Sequence, residues 1–191
     1  MTPQENNAPP SIAVLVGSVR QSRVGRSIAD WFVAHAARRN GLDLDLVDLA
    51  EVALPFADTP PGGNSASPIS GRLAAADAFV VVTPEYNHSF PAALKNAIDW
   101  HYQEWVRKPV AFVSYGAGSG GIRAVEQLRL VFAEVQAATT RSGVVLRAPW
   151  ERLDDNGRLV DDEPLRRAAD ATLSELTWWA EALRVARQVR P

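Results

Sequence analysis

Three polar loops in this 191-residue chain carry the residue types from which a ligand site could be built. The first, Gly17-Ser18-Val19-Arg20-Gln21-Ser22-Arg23-Val24-Gly25, joins an apolar run to a helical pattern. Hydroxyls, guanidinium groups and small residues ahead of a helix N-terminus are what a phosphate monoester needs. Main-chain N–H groups and the helix dipole serve one side, Arg and Ser donors the other. Each charge-assisted hydrogen bond contributes roughly 1.5–3 kcal/mol. Three or four would supply most of the ~8 kcal/mol behind a micromolar site. The alternative is a solvated, arginine-rich loop. The Gly-Lys-Ser/Thr of a P-loop is missing, which argues against a nucleoside triphosphate.

The second loop, Pro84-Glu85-Tyr86-Asn87-His88-Ser89-Phe90-Pro91, lies between the apolar run ending at Thr83 and a helix over Ala92–Trp100. A strand that empties into a tight polar loop and then a helix leaves main-chain N–H groups facing open space, where open α/β sheets bind ligands. The third loop, Gly116-Ala117-Gly118-Ser119-Gly120-Gly121, matches G-x-G-x-x-G in form. A dinucleotide fingerprint belongs on the first strand and wants an acid at the end of the next one. The strand that follows here, Gly143–Leu146, carries none. Close approach of the backbone to something flat is the better reading. Ser119 is no hydrolase nucleophile, because Ala117 stands where that turn requires glycine.

Other candidates carry less. His35, His88 and His101 are scattered and form no metal-ligand spacing. His88 and Ser89 are adjacent and so do not face each other as base and nucleophile. Trp100, Tyr102 and Trp105 suit core or a subunit contact, and the arginines of the last helix suit a solvated face.

The elements that position these loops alternate. Ser11–Gly17 is a continuous apolar run with a glycine stop, as a buried strand reads. A helix over Ser27–Arg39 carries Ile28, Trp31 and Phe32 on one face, and Asn40-Gly41 ends it. Leu42–Leu49 alternates Leu with Asp, so only half of it is apolar. Residues 51–70 are rich in Pro, Gly and Ser and read as a loop. A short helix over Ile69–Ala76 leads to a strand over Ala78–Thr83. Pro109–Tyr115 is another apolar strand, followed by a helix over Ile122–Ala137 and a short strand around Val144-Val145-Leu146. Asp155-Asn156-Gly157 signals a tight turn in a small hairpin. A final helix runs from the Asp161–Pro164 start to about Val189. Such alternation predicts an α/β doubly wound five-stranded parallel sheet. The first, third and fourth strands are apolar throughout, as central strands must be, while the second and fifth suit edges. The predicted order is the flavodoxin-like 2-1-3-4-5, whose switch point brings together the loops at Ser18 and Pro84.

Composition narrows the function. Net charge is −2, which suggests neither nucleic acid nor an anionic membrane as a partner. The chain has no cysteine, which removes disulfides, thiolate metal sites and a catalytic thiol, and fits a reducing cytoplasm. Residues 1–10 are polar and proline-rich without a basic and apolar leader pattern, and are expected to be a disordered tail before one domain over 11–191. No apolar run approaches the roughly 20 residues that span a bilayer.

Taken together, GSVRQSRVGRSIADWF, TPEYNHSFPAALKNAIDW and KPVAFVSYGAGSGGIRAVEQLR resemble the NADPH-dependent FMN reductase family. PEYN followed by ALKNAIDW is the specific part. The resemblance implies a flavodoxin-like fold, bound FMN, NADPH or NADH as co-substrate, and homodimers or homotetramers. It implies that Ser18, Arg20, Arg23, Val24 and Gly25 hold the FMN phosphate. Pro84, Glu85, Tyr86 and Asn87 would line the isoalloxazine, and Ser114, Tyr115, Gly116 and Gly121 its other side. Relatives often have a second glycine where Ala117 stands, and Phe90 replaces a frequent Tyr. No catalytic side chain and no metal are implied, because hydride passes from nicotinamide to the flavin and on to a small acceptor such as a quinone, free flavin, azo dye or metal oxyanion. A flavodoxin-type electron carrier is the alternative; such carriers usually present a strongly acidic surface, which −2 does not provide.

Overall fold

The computed structural model describes residues 8–56 and 67–189. Five strands, β1 (Ser11–Val16), β2 (Asp43–Asp48), β3 (Ala78–Pro84), β4 (Pro109–Gly116) and β5 (Ala138–Arg147), form one sheet in the order β2-β1-β3-β4-β5. All four pairings are parallel. This is the flavodoxin-like order predicted from the sequence. The helices are α1 (Gly25–Ala36), α2 (Ser70–Ala75), α3 (Ala92–Trp100), α4 (Ile122–Glu134) and α5 (Glu163–Val189).

The two-residue period of the strands sorts the core into two layers. Ile12, Val14 and Val16 face α1 and α5 with Val80, Val82, Val113 and Phe32, and all are buried. Ala13 and Leu15 point the other way, into a layer with Phe79, Val81, Phe112, Leu94, Ile98 and Phe132. Trp105 is fully buried there between Phe79 and Phe132, so this indole is core. Removing a side chain of this class from water is worth about 1.5–3 kcal/mol.

Parallel register brings the strand ends to one rim. Val16 sits beside Asp48 and Val82, Pro84 beside Tyr115, and Gly116 beside Arg147. The loops at Ser18, Glu85 and Ala117 therefore leave the sheet side by side.

Several boundaries differ from expectation. α1 begins at Gly25 and ends at Ala36, where the pattern suggested Ser27 and Arg39. β5 starts at Ala138 and spans 10 residues, where only a short strand was expected. In its first part Ala138 and Thr139 pair with Pro109 and Val110 before a register shift. Polar residues hid that half. Of the expected tail, residues 1–7 lie outside the described residues. Pro10 is buried and its carbonyl accepts from Asp43 N at 3.1 Å. Much of the expected loop over 51–70 also lies outside them, at 57–66.

The opposite pole of the sheet holds a charge cluster. Asp77 pairs with Arg187 at 2.8 Å and Arg184 at 3.4 Å, all three largely buried. The arginines at this end of α5 thus anchor the helix to the sheet rather than form a solvated face. Nearby, Lys108 Nζ donates to the Leu73 and Ala74 carbonyls at 2.9 and 2.8 Å, closing α2. Burial, with the neighbouring Arg187 charge, lowers the Lys108 ammonium to about 8.

Between pH 8 and about 10.4, the unfolded chain therefore binds more protons at Lys108 than the folded one, so stability rises with pH in that window. Denaturant titrations should show a gain of about 2 kcal/mol from pH 8 to pH 10 that Lys108→Met lacks. An equal gain in both proteins would remove Lys108 as its source.

Candidate functional site

Ser18 opens the first loop directly after β1 and is 1% exposed. Its Oγ shares a hydrogen bond of 2.8 Å with the Tyr86 hydroxyl, from the second loop. The Tyr115 side chain, from the end of β4, is buried nearby. Burial pushes the Tyr115 phenol well above its ordinary range, and the nearby Tyr86 adds to this, so it stays protonated. Arg20 lays its guanidinium over the Tyr86 ring, 3.9 Å from the centroid. Gly25 is required where α1 begins, because a Cβ there would stand 2.5 Å from the Tyr115 hydroxyl.

The charges of the first loop are divided. Arg23 Nη2 and Asp48 Oδ2 are 2.7 Å apart, and the Asp48 side chain is 1% exposed. Arg26 reaches the same oxygen at 3.4 Å and Glu51 at 3.1 Å. Asp48 also accepts from Ala50 N at 3.0 Å, so the carboxylate is fully engaged. Among the described residues, no carboxylate pairs with Arg20. Of the first-loop arginines, it is the one without a carboxylate partner, while Arg23 keeps a buried Nε with no acceptor. The first turn of α1 contains no acid that would oppose an anion.

The second loop closes as a two-residue hairpin. Tyr86 and Ser89 exchange main-chain bonds of 2.8 and 3.0 Å. Asn87 and His88 both have positive φ, 49° and 72°, as a type I′ turn requires. Left-handed backbone at a non-glycine costs on the order of 1 kcal/mol. Gln127 of α4 holds the turn by donating to the His88 carbonyl at 2.9 Å and accepting from the Ser89 hydroxyl.

Glu85 fixes the third loop to the second. Its carboxylate accepts from Ser119 Oγ at 2.6 Å, from Arg123 Nη1 at 3.1 Å and from Arg123 N at 3.3 Å. Burial alone would raise this carboxyl, but those donors outweigh it and hold it below the usual range. Ser119 in turn accepts from Gly121 N at 3.2 Å.

These contacts place Arg20, Tyr86 and Gly116 on one rim. A Cβ on Gly116 would approach Gly121 N at 3.3 Å and Glu85 Cβ at 3.5 Å, whereas one on Gly118 would meet nothing within 4 Å. Other expected site residues turn inward. Ser114 donates to the Gly120 carbonyl and is buried. Gly121, at φ 90°, has its missing Cβ position filled by Tyr115 N at 2.6 Å and Ser114 Cβ at 2.7 Å. Val24 packs against the core, and Pro84 completes β3 beside Tyr115. Asp48, Ser119, Arg123 and Gln127 were missed in the sequence. An acid closing the strand next to the first loop was a readable signal for Asp48; the other three act across loops and leave no local pattern.

The donor set suits a flat phosphorylated group. A hydroxyl, a guanidinium free of acids and a helix N-terminus stand at one end, and two glycine-lined or main-chain walls at the other. Among the described residues, no group of three or more His, Cys, Asp or Glu could hold a metal.

The family model for NADPH-dependent FMN reductase matches residues 10–151. An NAD(P)H-dependent FMN reductase of Schizosaccharomyces pombe is 38% identical over 153 residues, covering 72% of this chain and 74% of that protein. A 2-hydroxy-1,4-benzoquinone reductase of Burkholderia sp. is 29% identical over 182 residues, 91% of this chain and 98% of the relative. The solved structure of a flavoenzyme NAD(P)H:(acceptor) oxidoreductase from Paracoccus denitrificans superposes with a TM-score of 0.67 at 24% identity, covering 91% and 98% of the two chains.

The division of charge gives a testable contrast. Arg23→Ala leaves the buried Asp48 carboxylate short of its nearest partner and should cost about 3 kcal/mol in urea denaturation. Arg20→Ala removes a guanidinium stacked on one ring and should cost less than about 1 kcal/mol.

Proposed function

Because this chain belongs to the NADPH-dependent FMN reductase family, we propose that it delivers electrons from NAD(P)H to a small flat acceptor held over the rim of the sheet. Family and relatives make it an NAD(P)H-dependent oxidoreductase with FMN as cofactor. Bound FMN supplies a two-electron carrier that accepts hydride from the nicotinamide and passes it on. The chain's part is to bind, orient and exclude water.

In this reading Ser18, Arg20 and the amides opening α1 hold the phosphate, with Val24 and Gly25 shaping the turn. The observation that carries it is Arg20, the first-loop arginine with no acid of its own, standing over Tyr86. Arg23 contributes through Asp48, by fixing the loop's path, more than by direct contact. Main-chain groups of Pro84, Glu85, Tyr86 and Asn87 form one wall, and Tyr115 and Gly116 border the other. Ser114 and Gly121 support that second wall from within, through the Gly120 carbonyl and the β4 backbone. Fixed N–H donors of these loops stabilise negative charge on the ring without reorganising. Hydride transfer would demand no general base from the chain, and the second proton that completes a quinol would come from solvent at the open rim.

The acceptor is a quinone, a free flavin, an azo dye or a metal oxyanion, and the quinone reductase among the relatives favours the first. The oligomer is a homodimer or homotetramer, and the setting a reducing cytoplasm. No helix among the described residues is long and apolar enough to cross a membrane.

Two measurements test this. Arg20→Ala should raise the FMN dissociation constant about tenfold or more, the loss of one charge-assisted contact. An unchanged constant would remove Arg20 from the phosphate site. Purified protein with FMN, excess NADPH and a benzoquinone should consume nicotinamide absorbance over many turnovers. A single turnover would instead mark an electron carrier.

A further inference from the structure

On the face of the sheet covered by α1 and α5, a cavity of about 470 Å³ lies between α1 and the hairpin that follows β5. We propose that it is a second small-molecule site, separate from the flavin rim, that takes a flat aromatic ring bearing an anionic group at one end and a hydrogen-bond donor at the other. Its volume is in the range of small-molecule sites. Ser27, Asp30 and Trp31 line it from one helix face, and Asn156, Arg158 and Leu159 from the hairpin. Ser18, Tyr86 and Gly116 take no part in it.

Trp31 is held as a platform. Its Nε1–H donates to Asp161 at 3.0 Å, and one side of the ring stacks on His35 at 5.8 Å and 27°. Phe32 meets it edge-on at 6.3 Å. A ring fixed on its polar atom and on one side offers a preorganised apolar surface where it borders the cavity, the arrangement onto which another flat ring stacks.

Charge sets the direction in which a ligand would lie. The Arg158 backbone is fixed by its N–H to Asp154 at 2.8 Å, yet among the described residues none pairs with its guanidinium. Asp30 lines the same cavity from α1, with Oδ1 taken by Arg26 at 2.9 Å and one further oxygen left as an acceptor. An anion beside Asp30 is repelled, so the anionic group belongs at Arg158 and a neutral O–H or N–H donor at Asp30 and Ser27. Leu159, 8% exposed, gives the space an apolar floor. A nucleoside monophosphate and a hydroxylated aromatic carboxylate both have this chemistry.

The test is calorimetric titration of the full-length, FMN-loaded protein with AMP, with 4-hydroxybenzoate and with inorganic phosphate. At least one organic probe should bind with one equivalent per chain, and about tenfold tighter than phosphate. Arg158→Glu, an exposed substitution in the hairpin, should weaken that binding about tenfold or more while FMN content stays the same. Which organic probe binds separates a nucleotide source from a carboxylate source. No binding of either at millimolar concentration overturns the proposal. So does phosphate binding as tightly as the organic probes. Binding that survives Arg158→Glu belongs to the nicotinamide nucleotide's own site and equally overturns it.

Discussion

One buried hydroxyl holds the working end of this fold together. Ser18 Oγ shares a hydrogen bond with the Tyr86 hydroxyl, and so joins the ends of β1 and β3 at a point water does not reach. Parallel register already brings those strand ends level, but a level rim is only a row of loops. That shared hydrogen bond turns the row into a site, because the first and second loops then hold each other in place. Glu85 extends the same logic to the third loop, where one carboxylate accepts three donors from Ser119 and Arg123. Such networks are rigid when fully satisfied and costly when broken.

The second organising choice concerns charge. Four cationic or anionic side chains, Arg23, Arg26, Asp48 and Glu51, neutralise one another beside the first loop. Those pairs tie the loop to the end of β2 through the chain's own side chains. Arg20, outside this set, rests on an aromatic face instead of an acid. A guanidinium on a ring gives up about 0.5–1 kcal/mol when it leaves, far less than one leaving a buried carboxylate. Arginines of the same loop are thus divided into one paired with a buried carboxylate and one resting on a ring.

The sheet and its order were legible because three strands are apolar throughout and two are not, and burial on both faces demands that difference. The three loops were legible from their place after those strands. β5 was only half legible: Thr139, Thr140 and Arg141 extend an edge strand whose outer side needs no apolar residue. The site was legible as a set of loops but not as a set of contacts. Ser119 read as a failed nucleophile, whereas its hydroxyl belongs to Glu85, 34 positions away. Arg184 and Arg187 read as solvated, because nothing in their helix announces Asp77 at the foot of the sheet. Periodicity reports how a segment meets a layer. It does not report which two layers a polar side chain will bridge.

The Tyr115 hydroxyl beneath Gly25 has a mechanical consequence. The phenol stands rigidly on the central β4 strand and abuts the first residue of α1, with no room for a methyl group between them. It acts as a strut from the sheet's middle to the mouth of the helix. A shift of α1 at Gly25 towards the sheet would press on that phenol and so on β4, which ties the start of the helix to the middle of the sheet.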